Sequence, residues 1–368
     1  MSFKISKEET NRFKALLHTA AEDLPSRKAI ASIYSASLSQ VHDPLNMANE
    51  IFTEVTRYSG NQVPEIPVDL FFGIGEGALR VWANGYPGGL QYNEITGADT
   101  FRFRTYRMDS AIAFAKAFAE DSRLDVLNKG MTRLMDEVLL KSQGNAFLTL
   151  AEALGNARTG GLGHVIPSFA KQSGAGHKLQ IEDFNRLKVL MKRLNTSFAF
   201  GSTRSKQSNL TDLFMSPEMV ADIRRMSYNP MNTTAVPDTQ ESTALGLPDT
   251  VRTNIFNGGG ETTIWDVTIH EMSELGVGAP YNRLFQTYYT TAGAANAPTW
   301  VSATDEIIIG VDRAGSFSRV IQEDGEGNTF QLKVDDQFTA REEKVGWYGY
   351  TREGWVVGDA RSVVGLLV

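Results

Sequence analysis

The sequence predicts an α+β protein, because it contains one long helical pattern and several clear strand patterns. Leu124, Leu127, Met131, Leu134 and Val138 recur at three- and four-residue steps, as on the buried face of an amphipathic helix. Residues 101–107 begin with aromatic residues and arginines in strict alternation, which is typical of a half-buried strand. From Glu306 onward, β-branched and aromatic runs predict a β-rich C-terminal part.

The composition limits the classes of function that the chain can serve. Of its 368 residues, 42% are hydrophobic and 21% are charged, as in an ordinary globular protein. The absence of cysteine excludes disulfides, thiolate metal sites and a cysteine nucleophile. A net charge of -7 disfavours tight nonspecific binding to nucleic acid, although a protein that only encloses DNA is still allowed. We find no signal peptide and no apolar run near the ~20 residues that a membrane-spanning helix needs.

The N-terminal third is predicted to reach out towards other molecules. Residues 1–60 carry short helical stripes and are interpreted as an arm. Residues 61–108 predict a long β-hairpin, with a strand at 78–82, dense turn chemistry at 84–89 and the alternating strand at 101–107. We expect that neither the arm nor the hairpin can bury its apolar residues within one chain.

Residues 109–157 are predicted to form the strongest helix, a strut that organises the fold. Ser122 with Asp125 is a plausible capping pair at its start. Gly130 and Gly144 each cost a helix about 1 kcal/mol relative to alanine, so a kink or break near Gly144 is expected.

The second half of the chain alternates between helices and short strands. A glycine-rich linker at 158–180 precedes a helix at 181–194, a strand at 210–214 and a helix that starts at Ser216 and Pro217, which are good N-cap and first-turn residues. A loop-rich stretch at 226–260 leads into a strand at 262–270. The predicted C-terminal strands lie at 307–309, 317–321, 329–334 and 347–357.

The candidate motifs for catalysis or cofactor binding are incomplete. The string at 270–274 begins His-Glu, but a zincin helix needs a second histidine where Glu274 stands, so a solvated strand end is the better interpretation. Gly73, Gly75 and Gly77 precede a strand and not a helix, which favours a turn over a dinucleotide-binding loop. We therefore predict no metal, no cofactor and no enzymatic activity. A soluble metal- or nucleotide-dependent enzyme is the less favoured alternative.

The alternating strand supplies the most suggestive charge pattern. Arg102, Arg104 and Arg107 form a basic stripe, and Phe101 and Phe103 form an aromatic one. We predict that these five residues are inter-subunit contacts. A solvated hairpin face is the alternative interpretation.

Three strings and the order of elements resemble the Hong Kong 97-type major capsid protein of tailed bacteriophages. The strings are residues 210–224, which contain the sequence Met-Ser-Pro, residues 306–312, and the ending at 352–364. The resemblance implies a Hong Kong 97-type α+β fold with an N-arm, an E-loop hairpin, a P-domain with a long spine helix and β-sheet, and an A-domain. The implied domain map is 1–60 N-terminal arm, 61–108 E-loop with flanking strands, 109–160 P-domain with spine helix, 161–304 A-domain, 305–355 P-domain strands and 356–368 C-terminal return to the A-domain.

The resemblance also implies partners and a location. Copies of the chain would form hexamers and pentamers of an icosahedral shell that encloses double-stranded phage DNA, in the virion and, during assembly, in the host cytoplasm. A scaffolding protein and a portal would take part, a cement protein could join, and no membrane would be bound. No lysine lies between Lys28 and Lys116, so we predict no isopeptide cross-link from the E-loop. An encapsulin-type nanocompartment shell is the alternative within the same fold.

Overall fold

The computed structural model contains helices and β-sheets, which confirms the α+β class. It describes residues 7–21, 23–42, 48–59, 65–67, 100–103, 105–156, 158–159, 162–172, 178–196, 209–228, 262–291, 300–315, 317–324, 327–335, 342–358 and 360–368. The predicted hairpin elements at 78–82 and 84–89, the glycines at 73–77 and most of the loop at 226–260 lie outside these residues.

The helices follow one another along the chain as α1 Lys7–Ala20, α2 Leu24–His42, α3 Ala48–Ile51, α4 Lys116–Glu120, α5 Leu124–Asn156, α6 Phe169–Gln172, α7 Ile181–Thr196, α8 Pro217–Tyr228 and α9 Pro280–Thr291. The strands are β1 Glu54–Ser59, β2 Glu65–Pro67, β3 Thr100–Arg102, β4 Tyr106–Ala115, β5 Arg158–Thr159, β6 Leu162–Gly163, β7 Val165–Pro167, β8 Asp212–Met215, β9 Thr262–Ile264, β10 Val267–Glu271, β11 Ile307–Val311, β12 Phe317–Glu323, β13 Gln331–Asp335, β14 Lys344–Val357 and β15 Val363–Leu367.

The chain divides into two compact units. Unit 1 consists of 1–66, 102–146 and 318–356, and unit 2 of 67–101, 147–317 and 357–368. Unit 1 contains a five-stranded sheet in the order β1-β12-β14-β13, with β4 paired antiparallel to β14. Its inner face packs against α1, α2 and α5 around the fully buried Trp347.

The expectation that the N-terminal segment cannot bury its apolar residues within the chain is wrong for α1 and α2. Leu17 and Ile30 are completely buried in the core of unit 1. Arg27 is also buried, and its guanidinium donates to the carbonyls of Ala20 and Ala21 at the end of α1. The indole of Trp347 donates to the carbonyl of Arg27 at 3.4 Å. These contacts fix the helical pair onto the sheet, which the short stripes in the sequence could not reveal.

Helix α5 differs from its predicted form at its start and in its middle. Residues 109–115 belong to β4 and not to the helix, because their inward side chains join the core of unit 1. Helix α5 then runs for 33 residues, about 50 Å, without a break at Gly144. Ser122 is not a cap: its φ is 52°, and its hydroxyl donates to the carbonyl of Lys14.

Unit 2 contains a six-stranded sheet in the order β7-β15-β11-β8-β10-β9. Strands β8, β11 and β15 are buried at every position, so both faces of the central sheet are covered. One face packs against α7 and α8. On the other face, Leu154 of α5 lies close to Gly365 of β15.

Local signals explain two features of unit 2. The predicted N-cap is confirmed, since the Met219 N–H donates to the hydroxyl of Ser216 at 3.3 Å. The single strand predicted at 262–270 is instead a hairpin of β9 and β10. Trp265 and Asp266 form its tip with φ values of 49° and 62°, the left-handed conformation that a two-residue turn requires.

Candidate assembly surface

The five residues predicted as inter-subunit contacts have different surroundings. Phe101 and Arg102 lie in β3, and Arg104 is outside the described residues. Phe103 is only 4% exposed, so its ring belongs to the interior of the chain. Arg107 lies in β4 with its side chain 41% exposed. Arg107 is therefore the one among the described side chains of this set that faces solvent.

Arg107 lies on what we call the outer sheet face, formed by Arg107, Asp109, Ala111, Ala113 and Ala115 of β4, their β14 neighbours Tyr348 and Tyr350, and Lys333 of β13. This face is opposite to the one that packs on the helices of unit 1. The β4 side chains on it are exposed, whereas the alternate ones are buried or half-buried. Along β4 itself the charges lie at the Arg107 end and the alanines at the other end, where the exposed Lys344 of β14 lies beside Ala115.

The charged end of the outer sheet face is organised around Tyr350. The Arg107 guanidinium lies 4.2 Å from the centre of the Tyr350 ring, and the Lys333 ammonium lies 5.1 Å from it. Arg107 also pairs with Asp109 at 2.6 Å, and the Tyr350 hydroxyl donates to the side chain of Gln331. These contacts restrict the rotamers of residues that would otherwise be mobile on a surface.

A buried ion pair lies beneath the inner face of the same sheet. Arg319 is 1% exposed and Glu353 is 0% exposed, with 3.1 Å between the guanidinium and the carboxylate. The carboxylate also accepts from the indole of Trp355 at 3.1 Å and from the hydroxyl of Tyr106 at 3.3 Å. Burial and the Glu353 charge raise the pKa of Tyr106, so its phenol stays protonated and donates.

The same ion pair connects the N-terminal segment to the sheet. The Arg319 guanidinium donates to the side chain of Asn49 at 3.1 Å and lies 4.9 Å from the centre of the Trp355 ring. The Phe52 ring packs edge-on against Trp355 at 4.9 Å. Strand β1 then pairs in parallel with β12. Residues 48–59 are therefore held by polar, aromatic and backbone contacts together.

In unit 2, the histidine of the rejected zincin string has a structural role. His270 is buried, not solvated as predicted. Its ring N–H donates to the Asp212 carboxylate at 2.8 Å, and the ring stacks on Phe214 at 4.8 Å. The Arg313 guanidinium lies 2.9 Å from the same Asp212 oxygen. The arrangement joins β8, β10 and the turn after β11.

A second polar cluster lies at one end of the same sheet. The Ser216 hydroxyl donates to the buried carboxylate of Glu306. Burial raises the pKa of Glu306, the Ser216 hydrogen bond opposes that shift, and the nearby Glu218 charge adds to it. Asn282 donates to the carbonyl of Asp305 at 2.7 Å and so fixes the approach to β11.

Within the described residues, no group of three or more histidine, cysteine or acidic side chains could hold a metal ion. None of the helices described is long and apolar enough to cross a membrane. The polar side chains that the structure does bring together in the interior are paired with one another and connect elements of the fold.

The sequence offered a weak signal for the buried ion pair, which sequence reasoning missed. Arg319 interrupts the apolar run of β12, and Glu353 precedes the apolar end of β14. A charge inside a strand that is otherwise buried indicates a buried partner, because an unpaired buried charge is very costly. The identity of the partner depends on which strands pair. The local sequence does not show that β12 pairs with β14.

No protein-family model matches this chain, and no curated protein matches its sequence. A structure from Microbacterium phage Oxtober96 is 12% identical with a TM-score of 0.48, over 88% of this chain and 90% of that one. The capsid asymmetric unit of cyanophage Pam1 is 14% identical with a TM-score of 0.47, over 88% of this chain and 92% of that one.

An encapsulin complex from Synechococcus elongatus PCC 7942 is 10% identical with a TM-score of 0.47, over 85% of this chain and 84% of that one. Phage capsids and encapsulins, the two kinds of shell protein that the sequence resemblance suggests, are therefore both among the similar solved structures.

Proposed function

We propose that this chain is the major capsid protein of a tailed bacteriophage, a structural protein that assembles into an icosahedral shell around double-stranded DNA. One observation carries the proposal. Strand β4 in the sheet of unit 1 turns alternate side chains into the chain's own core and presents the others to solvent, where contacts around Tyr350 hold the charged ones. Shell subunits need such faces, since obligate assemblies bury about 2,000–5,000 Å² per interface.

The domain map of the resemblance is part of the proposal, with one refinement. Helix α5 serves as the spine helix, and unit 2 supplies most of the A-domain. Helices α1 and α2 belong to the arm region of the map, but they pack on the chain's own sheet. What the arm offers a neighbouring copy is then the exposed side of these helices, where Ile33 is 50% exposed.

Arg107 is the contact residue that we favour most among the five predicted ones. Its guanidinium is held by Asp109 and Tyr350, so little side-chain entropy is lost when a carboxylate of another copy binds it. Phe103 is buried and is not proposed as a direct contact.

Further partners follow from the same function. Copies would form hexamers and pentamers, a scaffolding protein and a portal would direct assembly in the host cytoplasm, and a cement protein could bind the finished virion shell. The acidic chain would enclose DNA without sequence-specific contacts.

Expression of the full chain and electron microscopy of the purified product test this function. We expect closed icosahedral shells, alone or after co-expression with the neighbouring genes, and DNA inside particles from infected cells. A stable monomer under all these conditions would overturn the proposal, and shells that hold a packaged enzyme would assign the encapsulin function instead.

An arginine variant with a conservative control tests the contact. Arg107→Glu should reduce the yield of shells strongly, because it places a second carboxylate beside Asp109 where a guanidinium stood, whereas Arg107→Lys should reduce it less. Circular dichroism should show both variants folded. Equal shell yields from both variants and the unchanged chain would remove Arg107 from the interface.

A further inference from the structure

Strand β4 has one edge in the sheet and one edge outside it. The Lys116 N–H donates to the Glu343 carbonyl at 2.8 Å, and the register of β4 with β14 continues from this pair. Hydrogen-bonded pairs alternate along an antiparallel ladder, so the even-numbered residues of β4 bond to β14. The backbone N–H and carbonyl groups of Arg107, Asp109, Ala111, Ala113 and Ala115 therefore point to the other edge. No described residue forms a strand along that edge.

The same odd-numbered residues have exposed side chains. Three of them in succession are alanines, whose methyl groups cannot shield the backbone beside them. Edge strands in native proteins are normally short, charged along their length or covered, because a bare edge can pair with another chain. β4 is ten residues long, and its charges lie only at the Arg107 end. Among the residues that the structure describes, no strand pairs with its alanine half on the outer edge.

We propose that β4 of one copy pairs antiparallel with β4 of a second copy about a two-fold axis, with Ala111 opposite its own counterpart. The proposal rests on the proposed function, because it names one contact between copies in the shell. A two-fold contact is self-complementary, so a single edge serves both partners.

Charge and side-chain size select this register. With Ala111 at the centre, Arg107 lies opposite Ala115 of the second copy and Asp109 lies opposite Ala113. Shifting the centre to Asp109 would place two carboxylates opposite each other, and a centre at Arg107 would do the same for two guanidiniums. Like charges directly opposite each other destabilise a strand pair. The alanines accept the longer side chains without a clash, and every outward backbone group from 107 to 115 is paired.

Disulfide trapping tests the contact, because the chain has no cysteine of its own. Hydrogen-bonded opposite residues have Cα atoms about 5.5 Å apart, which lies within the range of a disulfide. Ala111→Cys should therefore give a dimer band on a non-reducing gel after mild oxidation of assembled particles. Ala113→Cys is the matched control: its two thiols would lie four residues apart along the strands, about 13 Å, and should give none.

A double variant checks the register. Asp109→Cys combined with Ala113→Cys should restore the dimer band, because these positions face each other across the axis. Ala111→Pro removes an N–H that points only to the open edge, so the fold should survive and the contact should be lost. Folded Ala111→Pro chains should form far fewer particles than Ala111→Val chains.

The outcomes separate this contact from the proposed function. Intact shells without an Ala111→Cys dimer band would overturn the β4 pairing and leave the shell function standing. Equal dimer bands from Ala111→Cys and Ala113→Cys would also overturn it, since they would indicate random collision. A dimer band from chains that never form shells would support the pairing and overturn the shell function.

Discussion

The two units of this chain bury their β-sheets in different ways. In unit 2, β8, β11 and β15 are buried at every residue, and helices cover both faces of the sheet. In unit 1, β4 alternates between exposed and inward side chains, and the described helices pack on its inward face. Among the described residues, the central sheet of unit 2 is thus covered on both faces, whereas β4 of unit 1 has an exposed face.

The difference assigns separate roles to the two units. A sheet that is covered on both faces has little left to offer a partner except its loops and helices. A sheet with one bare face needs internal support, because the same strands must hold their position while they bind a neighbour. The buried pair of Arg319 with Glu353 and the stacking around Tyr350 provide that support.

The largest expected change in stability comes from removing one partner of the buried ion pair in unit 1. Arg319→Ala should lower the free energy of unfolding by about 3–5 kcal/mol, because it leaves the carboxylate of Glu353 buried without its cation. Arg57→Ala is the matched control in the same sheet. Arg57 also pairs with a glutamate, Glu323, but its side chain is 53% exposed, so its removal should cost about 0–1 kcal/mol.

Urea unfolding of the two variants, together with hydrogen exchange of peptides from 318–356, measures this difference. Similar urea midpoints for Arg319→Ala and Arg57→Ala would mean that the buried pair stabilises the fold no more than the exposed one. That result would contradict the proposed supporting role of the Arg319–Glu353 pair.

A smaller effect compares tight packing in the two units. An alanine Cβ at Gly349 would lie 2.3 Å from the Phe330 ring of unit 1, and one at Gly310 would lie 2.6 Å from Leu210 of unit 2. Each glycine-to-alanine change should destabilise the chain by about 1–3 kcal/mol through overpacking. Hydrogen exchange should increase in unit 1 peptides for Gly349→Ala and in unit 2 peptides for Gly310→Ala. Increases spread evenly over both units would contradict the division of the chain into two cores.

The pH dependence of stability tests the buried carboxyl group of Glu306 in unit 2. The pKa of Glu306 is raised above its ordinary value of 4.5, so the folded chain binds a proton there more tightly than the unfolded chain. Stability from this group is therefore present at acid pH and decreases as pH rises from the ordinary towards the raised value. Glu306→Gln should flatten this decrease and raise the melting temperature at neutral pH.

Melting curves from pH 4 upward check the expectation, with Glu271→Gln as control, since Glu271 is exposed on β10 of the same sheet. An unchanged pH slope in Glu306→Gln would show that other groups cause the decrease.

The smallest expected effect concerns the long helix that contributes residues to both units. Gly144→Ala should stabilise the chain by about 0.4–1 kcal/mol, because nothing lies within 4 Å of the added Cβ and the unfolded chain loses freedom. Gly130→Ala should gain less or lose stability, since its Cβ would lie 2.3 Å from the side chain of Ile112. Thermal melts of both variants measure the difference, and equal gains would mean that Ile112 moves aside freely.

Much of this fold could be predicted from the sequence where a local pattern decides it. The periodic leucines of α5, the Ser216 cap of α8 and the β-rich C-terminal part all follow from nearest neighbours along the chain. The candidate site was predicted less well. Of the five proposed contact residues, Arg107 lies on the exposed face and Phe103 lies in the interior.

These errors share a physical cause. His270 is buried against Asp212 and Phe214, which are far away in the sequence, and no local pattern encodes those contacts. The segment at 109–115 has a mixed pattern that suits a helix or a strand, and its pairing with β14 selects the strand. The sequence likewise predicts a loose arm for α1 and α2, because the sheet on which they pack comes from distant parts of the chain.

The sequence by itself determined the α+β class, the presence of the strut helix, the lack of cysteine chemistry and the arginine pattern at 102–107, because each depends on residue type and spacing. Only the tertiary structure decided which sheet face is bare, which charges are buried and which edge of β4 is open. Those properties depend on strand order and register, which long-range packing fixes.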